Sequence, residues 1–336
     1  MQRLLFGLLL SGLLTSAALA EAPVRVVLSA PGPRNLSYLP VDLIPKIGAD
    51  TAEGLRLQIL HVGGGGVALA NLANRNADFI VAGEPAQMSA KLNGADVVTI
   101  AAVNDAPLFV LMVRADLRNK VKRVADLRGR SLGVNSSTKG AKTTSQQLLE
   151  VVLKSDGVKP GEVSIVSAGQ SWEAQSSVLT SRVVDAVMGD EPFATRLREA
   201  KQVFFLVNLG ERDGAAPVAK VPGGHFLHAA LATRSDVIVK SPELVEKMVR
   251  ALRRSLQWIA SHSPAELMTA LDIREPAERD AFIKALKAYP YSFSRDGRFS
   301  TRQLADTDIF FRAATPEAGN FSVADMVNDR WAGRAE

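Results

Sequence analysis

The chain has no cysteine among its 336 residues. Disulfides, thiol nucleophiles and thiolate metal sites are therefore excluded together, and stability has to come from packing. Aromatic residues are scarce, at 6%, and they do not interleave with basic ones as in a reader of single-stranded nucleic acid. The four histidines, His61, His225, His228 and His262, have no metal-ligand spacing, since in a strand His225 and His228 would point to opposite faces. They also pair with no obvious serine. The GxSxG elbow, the HExxH zinc motif and the Walker lysine are missing. Beyond the first twenty residues, no apolar run approaches the ~20 residues that a membrane span needs. These absences lead us to expect no enzyme, no catalytic residue, no metal and no cofactor.

What is present starts with an address. "MQR" is a short basic start, "LLFGLLLSGLLTSAA" an apolar run and Ala18-Leu19-Ala20 a small-x-small cut site. Residues 1–20 read as an export signal cleaved after Ala20, so the periplasm is the expected compartment. With no cysteine near the cut, lipid anchoring through an N-terminal cysteine is not expected. The remaining 316 residues suit about two domains. The formal charge of +5 falls to +4 with the loss of Arg3, which admits an anionic ligand but does not suggest nucleic acid. The run "RNKVKRVADLRGR" reads as a solvated surface, with docking to a permease as its other use.

Strands and helices alternate along the mature chain, which predicts an α/β fold. "VRVVLSA" and "LRLQIL" read as strands, and "HVGGGGVALANL" follows as a glycine loop opening a helix. Gly63-x-Gly65-x-x-Ala68 satisfies the dinucleotide fingerprint as a pattern. Export weighs against a periplasmic oxidoreductase, because nicotinamide nucleotides are not freely available outside the cytoplasm. An internal repeat carries more weight. Leu72-x-x-Arg75-x-x-Asp78-x5-Glu84-Pro85 recurs 107 residues later as Leu179-x-x-Arg182-x-x-Asp185-x5-Glu191-Pro192. Upstream, a one-residue slip sets Gly63 opposite Gly169. "FVLMVRADL" and "HAALATRSDV" are a second echoing pair, read as the two crossover strands. The expected plan is two open α/β sheets joined by two crossovers. Lobe one comprises residues 24–113 and 228–336, and lobe two residues 114–227. The carboxyl ends of both sheets should line a shared ligand cleft.

Several segments resemble the periplasmic solute-binding proteins of ABC importers of the nitrate, sulfonate and taurine type, a group that also includes binders of bicarbonate and thiamine-pyrimidine precursors. The matching segments include "EGLRLQILHVGGG", "ANLANRNADFIVAGEPA", "VADLRGRSLGVNSSTKG" and "SSVLTSRVVDAVMGDEP". The resemblance implies a type II periplasmic-binding-protein fold that closes on a small solute. It also implies delivery to an ABC permease and its ATPase, with a monomer expected. A ligand-sensing subunit that presents its closed form to a membrane kinase is the alternative. Related folds that make the thiamine pyrimidine use a cysteine-rich motif, which this chain lacks.

Candidate ligand residues follow from the loops at strand ends. Pro33, Arg34 and Asn35 come after the first strand, and Arg34 suits a bidentate clamp on a carboxylate, sulfonate or nitrate. Gly64, Gly65 and Gly66 offer backbone donors at a helix N-terminus, a tight turn being their other use. Ser136, Ser137 and Thr138 combine capping with exposed hydroxyls. Glu84, Asp190 and Glu191 lie at strand ends and suit an amine or amidine, helix capping and support of the hinge being their other use. Asn104 and Gln170 add polar contacts, while Trp172 and His225 offer stacking faces for a planar aromatic or pyrimidine. Acids and arginine together leave the charge of the ligand open.

Overall fold

The computed structural model describes residues 22–210 and 221–335. The export signal expected at 1–20 lies outside them. Among the described residues no helix is long and apolar enough to cross a membrane.

Ten strands form two five-stranded sheets. The first contains β1 (Val24–Pro31), β2 (Leu55–Val62), β3 (Phe79–Gly83), β4 (Val98–Asn104) and β10 (Ala229–Thr233), in the order β2-β1-β3-β10-β4. The second contains β5 (Phe109–Arg114), β6 (Ser131–Val134), β7 (Ser164–Ser167), β8 (Ala186–Asp190) and β9 (Val203–Asn208), in the order β7-β6-β8-β5-β9. β3 and β8 are buried at every residue, as central strands covered on both faces must be. The edge strand β2 starts with alternating buried and exposed residues, Leu55 to Gln58, the signature of a half-covered strand.

The sheets are topological copies. In each, the first three strands are parallel, and the fourth runs antiparallel to both its neighbours. That fourth strand is the one the chain makes straight after crossing over. β5 follows the last strand of the first sheet but pairs in the second, and β10 returns to the first. The expected passage near residue 113 is thus corrected: β5 pairs with β8 and β9 from Phe109 onward, so the chain crosses between Asn104 and Phe109.

The repeat is visible in three dimensions. The helices Gly65–Ala73 and Trp172–Thr180 stand 107 residues apart, as do β3 and β8. Arg75 and Arg182 both adopt left-handed backbone, with φ of 62° and 60°. Asp78 accepts from Val27 N at 2.9 Å and Asp185 from Ser131 N at 3.3 Å, each fixing the neighbouring parallel strand. Opposite Leu28 and Leu132 sit Ile59 and Ile165, which are 106 apart. The slip seen in the sequence therefore falls in the loop between strand and helix.

The C-terminal segment covers lobe one with the amphipathic helix Pro242–Ser261, but it does not stay there. In the helix Thr301–Ala314, Phe311 joins the core of the first sheet while Phe310 joins that of the second. Phe310 stacks on Phe226 with centroids 4.2 Å apart. The tail therefore belongs partly to lobe two.

Candidate functional site

The carboxyl ends of the two sheets meet at a buried polar cluster centred on Asp190, the last residue of β8. Its Oδ2 accepts from Gln170 Nε2 at 2.6 Å, Asn35 Nδ2 at 2.8 Å and Asn135 Nδ2 at 3.2 Å. Asn35 comes from the loop after β1 in lobe one, and the other donors follow β6 and β7 in lobe two. Asn35 is locked because its Oδ1 caps the next turn by accepting from Ser37 N at 2.8 Å. The Tyr38 phenol lies against Gln170, the Gly83 backbone and Asp190. Burial pushes the Asp190 carboxyl up to about 7, against the three amides that favour its charged form, with the neighbouring Glu191 adding to the rise.

The cluster has acceptors to spare. Asp190 Oδ1, Asn135 Oδ1 and Gln170 Oε1 are all buried without a hydrogen-bond partner. Thr144 Oγ1 is buried and unpartnered as well. Leaving such a group unpaired costs about 1–3 kcal/mol, so three orphaned oxygens at one junction mark a place where donors are missing.

The glycine loop has a different role from either expected use. No left-handed φ occurs at Gly63 to Gly66, and Gly64 is extended at 166°. The loop instead lies directly against the opposite lobe. A Cβ on Gly64 would stand 2.6 Å from Ser136 O, and one on Gly66 would stand 2.9 Å from Thr138 N. Ser136 N donates to Gly63 O at 3.2 Å. These glycines let two backbones touch across the cleft.

The remaining candidates divide. Arg34 is not in the cluster: its side chain is half exposed and Nη1 donates to Glu278 at 2.6 Å. Pro33 is exposed beside it. Ser136 Oγ pairs with Ser167 Oγ at 2.8 Å and Ser137 Oγ donates to Gln146 at 2.8 Å. Thr138 makes a backbone bridge to Ala141. Glu84 turns into lobe one, where Thr99 Oγ1 donates to it at 3.0 Å and burial pushes it up to about 8. Glu191 caps its own helix by accepting from Thr195 N and Oγ1, both at 3.0 Å. Burial holds it at about 7. Asn104 is buried, with Oδ1 taken by Ala106 N and Nδ2 unpartnered. Trp172 carries the Arg196 guanidinium 4.0 Å above its ring, so that face is taken. His225 is exposed and offers no stacking face inside.

Four contributors escaped the sequence reading: Tyr38, Asn135, Thr144 and His228. Asn135 stands one residue before Ser136, directly after the last residue of β6, and a polar residue at that position is the signal in the sequence. His228 corrects the expectation that no histidine pairs with a serine. It is fully buried between the edges of Phe109 and Phe226. It does pair with a serine, its Nε2 lying 3.0 Å from Ser37 Oγ. Burial pushes it down to about 3, so it is neutral.

A two-sheet α/β body with one antiparallel crossover strand per sheet, and a polar junction where the strands end, is a two-lobed type II periplasmic-binding-protein fold. A family model described as "NMT1/THI5 like" matches residues 51–266, and the chain belongs to that family. No curated protein sequence matches it. Among solved structures it is similar to a protein of Bordetella bronchiseptica RB50, with 20% identity, a TM-score of 0.82, and 93% of this chain and 96% of that one covered. It is also similar to the alkanesulfonate-binding protein SsuA of Xanthomonas axonopodis pv. citri bound to MOPS. There the identity is 16% and the TM-score 0.70, with 91% and 99% covered. The desulfurization enzyme DSZB shares the fold at 14% identity and a TM-score of 0.60, with 92% and 97% covered.

Proposed function

We propose that this protein is an exported, monomeric solute receptor of an ABC importer. It closes its lobes on a small ligand and hands it to a membrane permease with a cytoplasmic ATPase. The ligand presents N–H donors, as an amine, an amidine or an aminopyrimidine does, rather than the sulfonate, nitrate or carboxylate that Arg34 suggested. The observation that carries this reading is the Asp190 junction: the free oxygens of Asp190, Asn135 and Gln170 are acceptors, and no lysine or arginine is bonded to Asp190. A carboxylate held by three amides gives a donor a charge-assisted partner worth about 1.5–3 kcal/mol. Contacts from Asn35 on one lobe and from Asn135 and Gln170 on the other make ligand capture and closure one event.

An enzymatic role draws little support from the serine–histidine contacts: Ser261 and His262 are exposed chain neighbours, with His262 Nδ1 also 2.7 Å from Trp258 O. Ser37 and His228 are both fully buried, and His228 Nδ1 has no orienting partner.

A thermal-shift screen of the mature protein tests the proposal. The panel comprises amines, amidines and aminopyrimidines against taurine, alkyl sulfonates, nitrate, bicarbonate and NAD. A ligand at 100 times its Kd stabilises by ~2.7 kcal/mol, a shift of several degrees. We expect the hit among the nitrogen donors. A hit confined to sulfonates or nitrate would refute the donor assignment, and one confined to NAD would refute the receptor assignment.

A further inference from the structure

We infer that lobe one carries a second small-molecule site, outside the cleft, for a small monoanion with an apolar body, such as an aromatic or short aliphatic carboxylate. A surface pocket of about 240 Å³ lies beside the loop after β1. Its apolar wall includes Leu39 and Ile59 from the first half of the lobe and Leu271 and Ile273 from the C-terminal helices. Arg34, Lys46, His61 and Asp42 supply its polar lining. Every lining residue belongs to lobe one, so the pocket is complete without closure. It is therefore distinct from the Asp190 junction.

The charges select the ligand. Arg34 commits Nη1 to Glu278, and the rest of its half-exposed guanidinium fork remains for a second carboxylate. Lys46 is exposed and has no ion-pair partner among the described residues. Asp42, the acid in the lining, is already held by His61 Nε2 at 2.8 Å. An incoming anion thus meets two cations with donors to offer, and the two acids nearby, Asp42 and Glu278, are each already paired. Arg34 sits in left-handed backbone at φ 61°, a conformation uncommon for a side-chain-bearing residue that has to be held by its surroundings. At this turn successive side chains part, Arg34 towards the pocket and Asn35 into the junction. The cation expected to clamp an anion in the cleft serves this outer site instead.

Benzoate is the probe and benzyl alcohol its neutral counterpart. The mature chain is titrated with each by calorimetry and by ¹H–¹⁵N NMR. We expect benzoate to bind with a Kd of about 1 mM or tighter, and benzyl alcohol at least about tenfold more weakly. Amide shifts should concentrate at residues 33–46, 59–61 and 271–273. Lys46→Glu, an exposed change, should weaken benzoate about tenfold or more and leave the melting temperature in place. The site is overturned by an absence of saturable binding, by shifts centred on Asn135, Gln170 and Asp190, or by an unchanged Kd in Lys46→Glu.

Discussion

The third strands of the two lobes occupy equivalent places in their sheets, yet they finish on different residues. β3 ends at Gly83 and β8 at Asp190, 107 positions apart. At Gly83 the missing side chain makes room for the other lobe: a Cβ there would stand 2.1 Å from Thr144 Oγ1. At Asp190 the side chain is the site itself, gathering amides from both lobes. One copy of the repeat supplies a surface to be approached and the other a group that binds. The acids that follow diverge in the same way. Glu84 is folded inward against Thr99, whereas Glu191 caps the helix Phe193–Glu199. A duplicated framework can therefore hold an asymmetric site, because strand position is shared while the terminal side chain is free to differ.

The lobes are also tied by the tail, and the largest expected effect comes from cutting that tie. Phe310→Ala should cost about 3–5 kcal/mol by removing a fully buried ring from the core of lobe two. Urea unfolding would show it, and an early transition confined to lobe-two signals would sharpen the assignment. Gly83→Asp makes the two strand ends alike. The new side chain should hold Thr144 away and weaken ligand binding about 100-fold, some 2.7 kcal/mol, with small-angle scattering reporting a more open particle. Gly64→Ala puts a Cβ against the Ser136 carbonyl and should weaken binding about tenfold, or 1.4 kcal/mol. Its melting temperature without ligand should stay near that of the parent.

The smallest effect is a slope. Glu84, Asp190 and Glu191 are all raised by burial, to about 8, 7 and 7. Each binds its proton more tightly when folded, so its contribution is complete below its ordinary value and is lost as pH rises through the raised one. His228, pushed down to about 3, has the opposite sign: its contribution is complete above about 6.5 and is lost as pH falls towards 3. Between pH 6.5 and 8 only the acids act, so the melting temperature of the unliganded protein should decline across that window. Glu84→Gln should flatten the decline, and a steeper one would contradict the assignment.

Much of the framework could be read in advance. Apolar runs such as "DFIVAG" and the Leu-x-x-Arg-x-x-Asp repeat report strand position and a fixed turn, which are local consequences of local residues. The site was harder to read. Asp190, Asn35 and Gln170 are legible as polar residues at strand ends, whereas Asn135 is masked by the hydroxyl-rich run Ser136 to Thr138 beside it. Arg34 and Asn35 are adjacent, and nothing in composition says which one turns inward; the left-handed backbone at Arg34 decides it. The glycine run reads as a binding loop, although its role is to let Ser136 approach, and that partner lies 72 residues from Gly64 in the chain.

The claim that Asp190 and its amides grip a donor is tested most directly by calorimetry at pH 8, where the carboxylate is mostly ionised. The best nitrogen-donor ligand of the screen is titrated into the parent protein and into Asp190→Asn. The variant should bind at least about tenfold more weakly, a loss of about 1.4 kcal/mol or more, while remaining folded. Equal affinity in the two proteins would contradict it and place the ligand elsewhere.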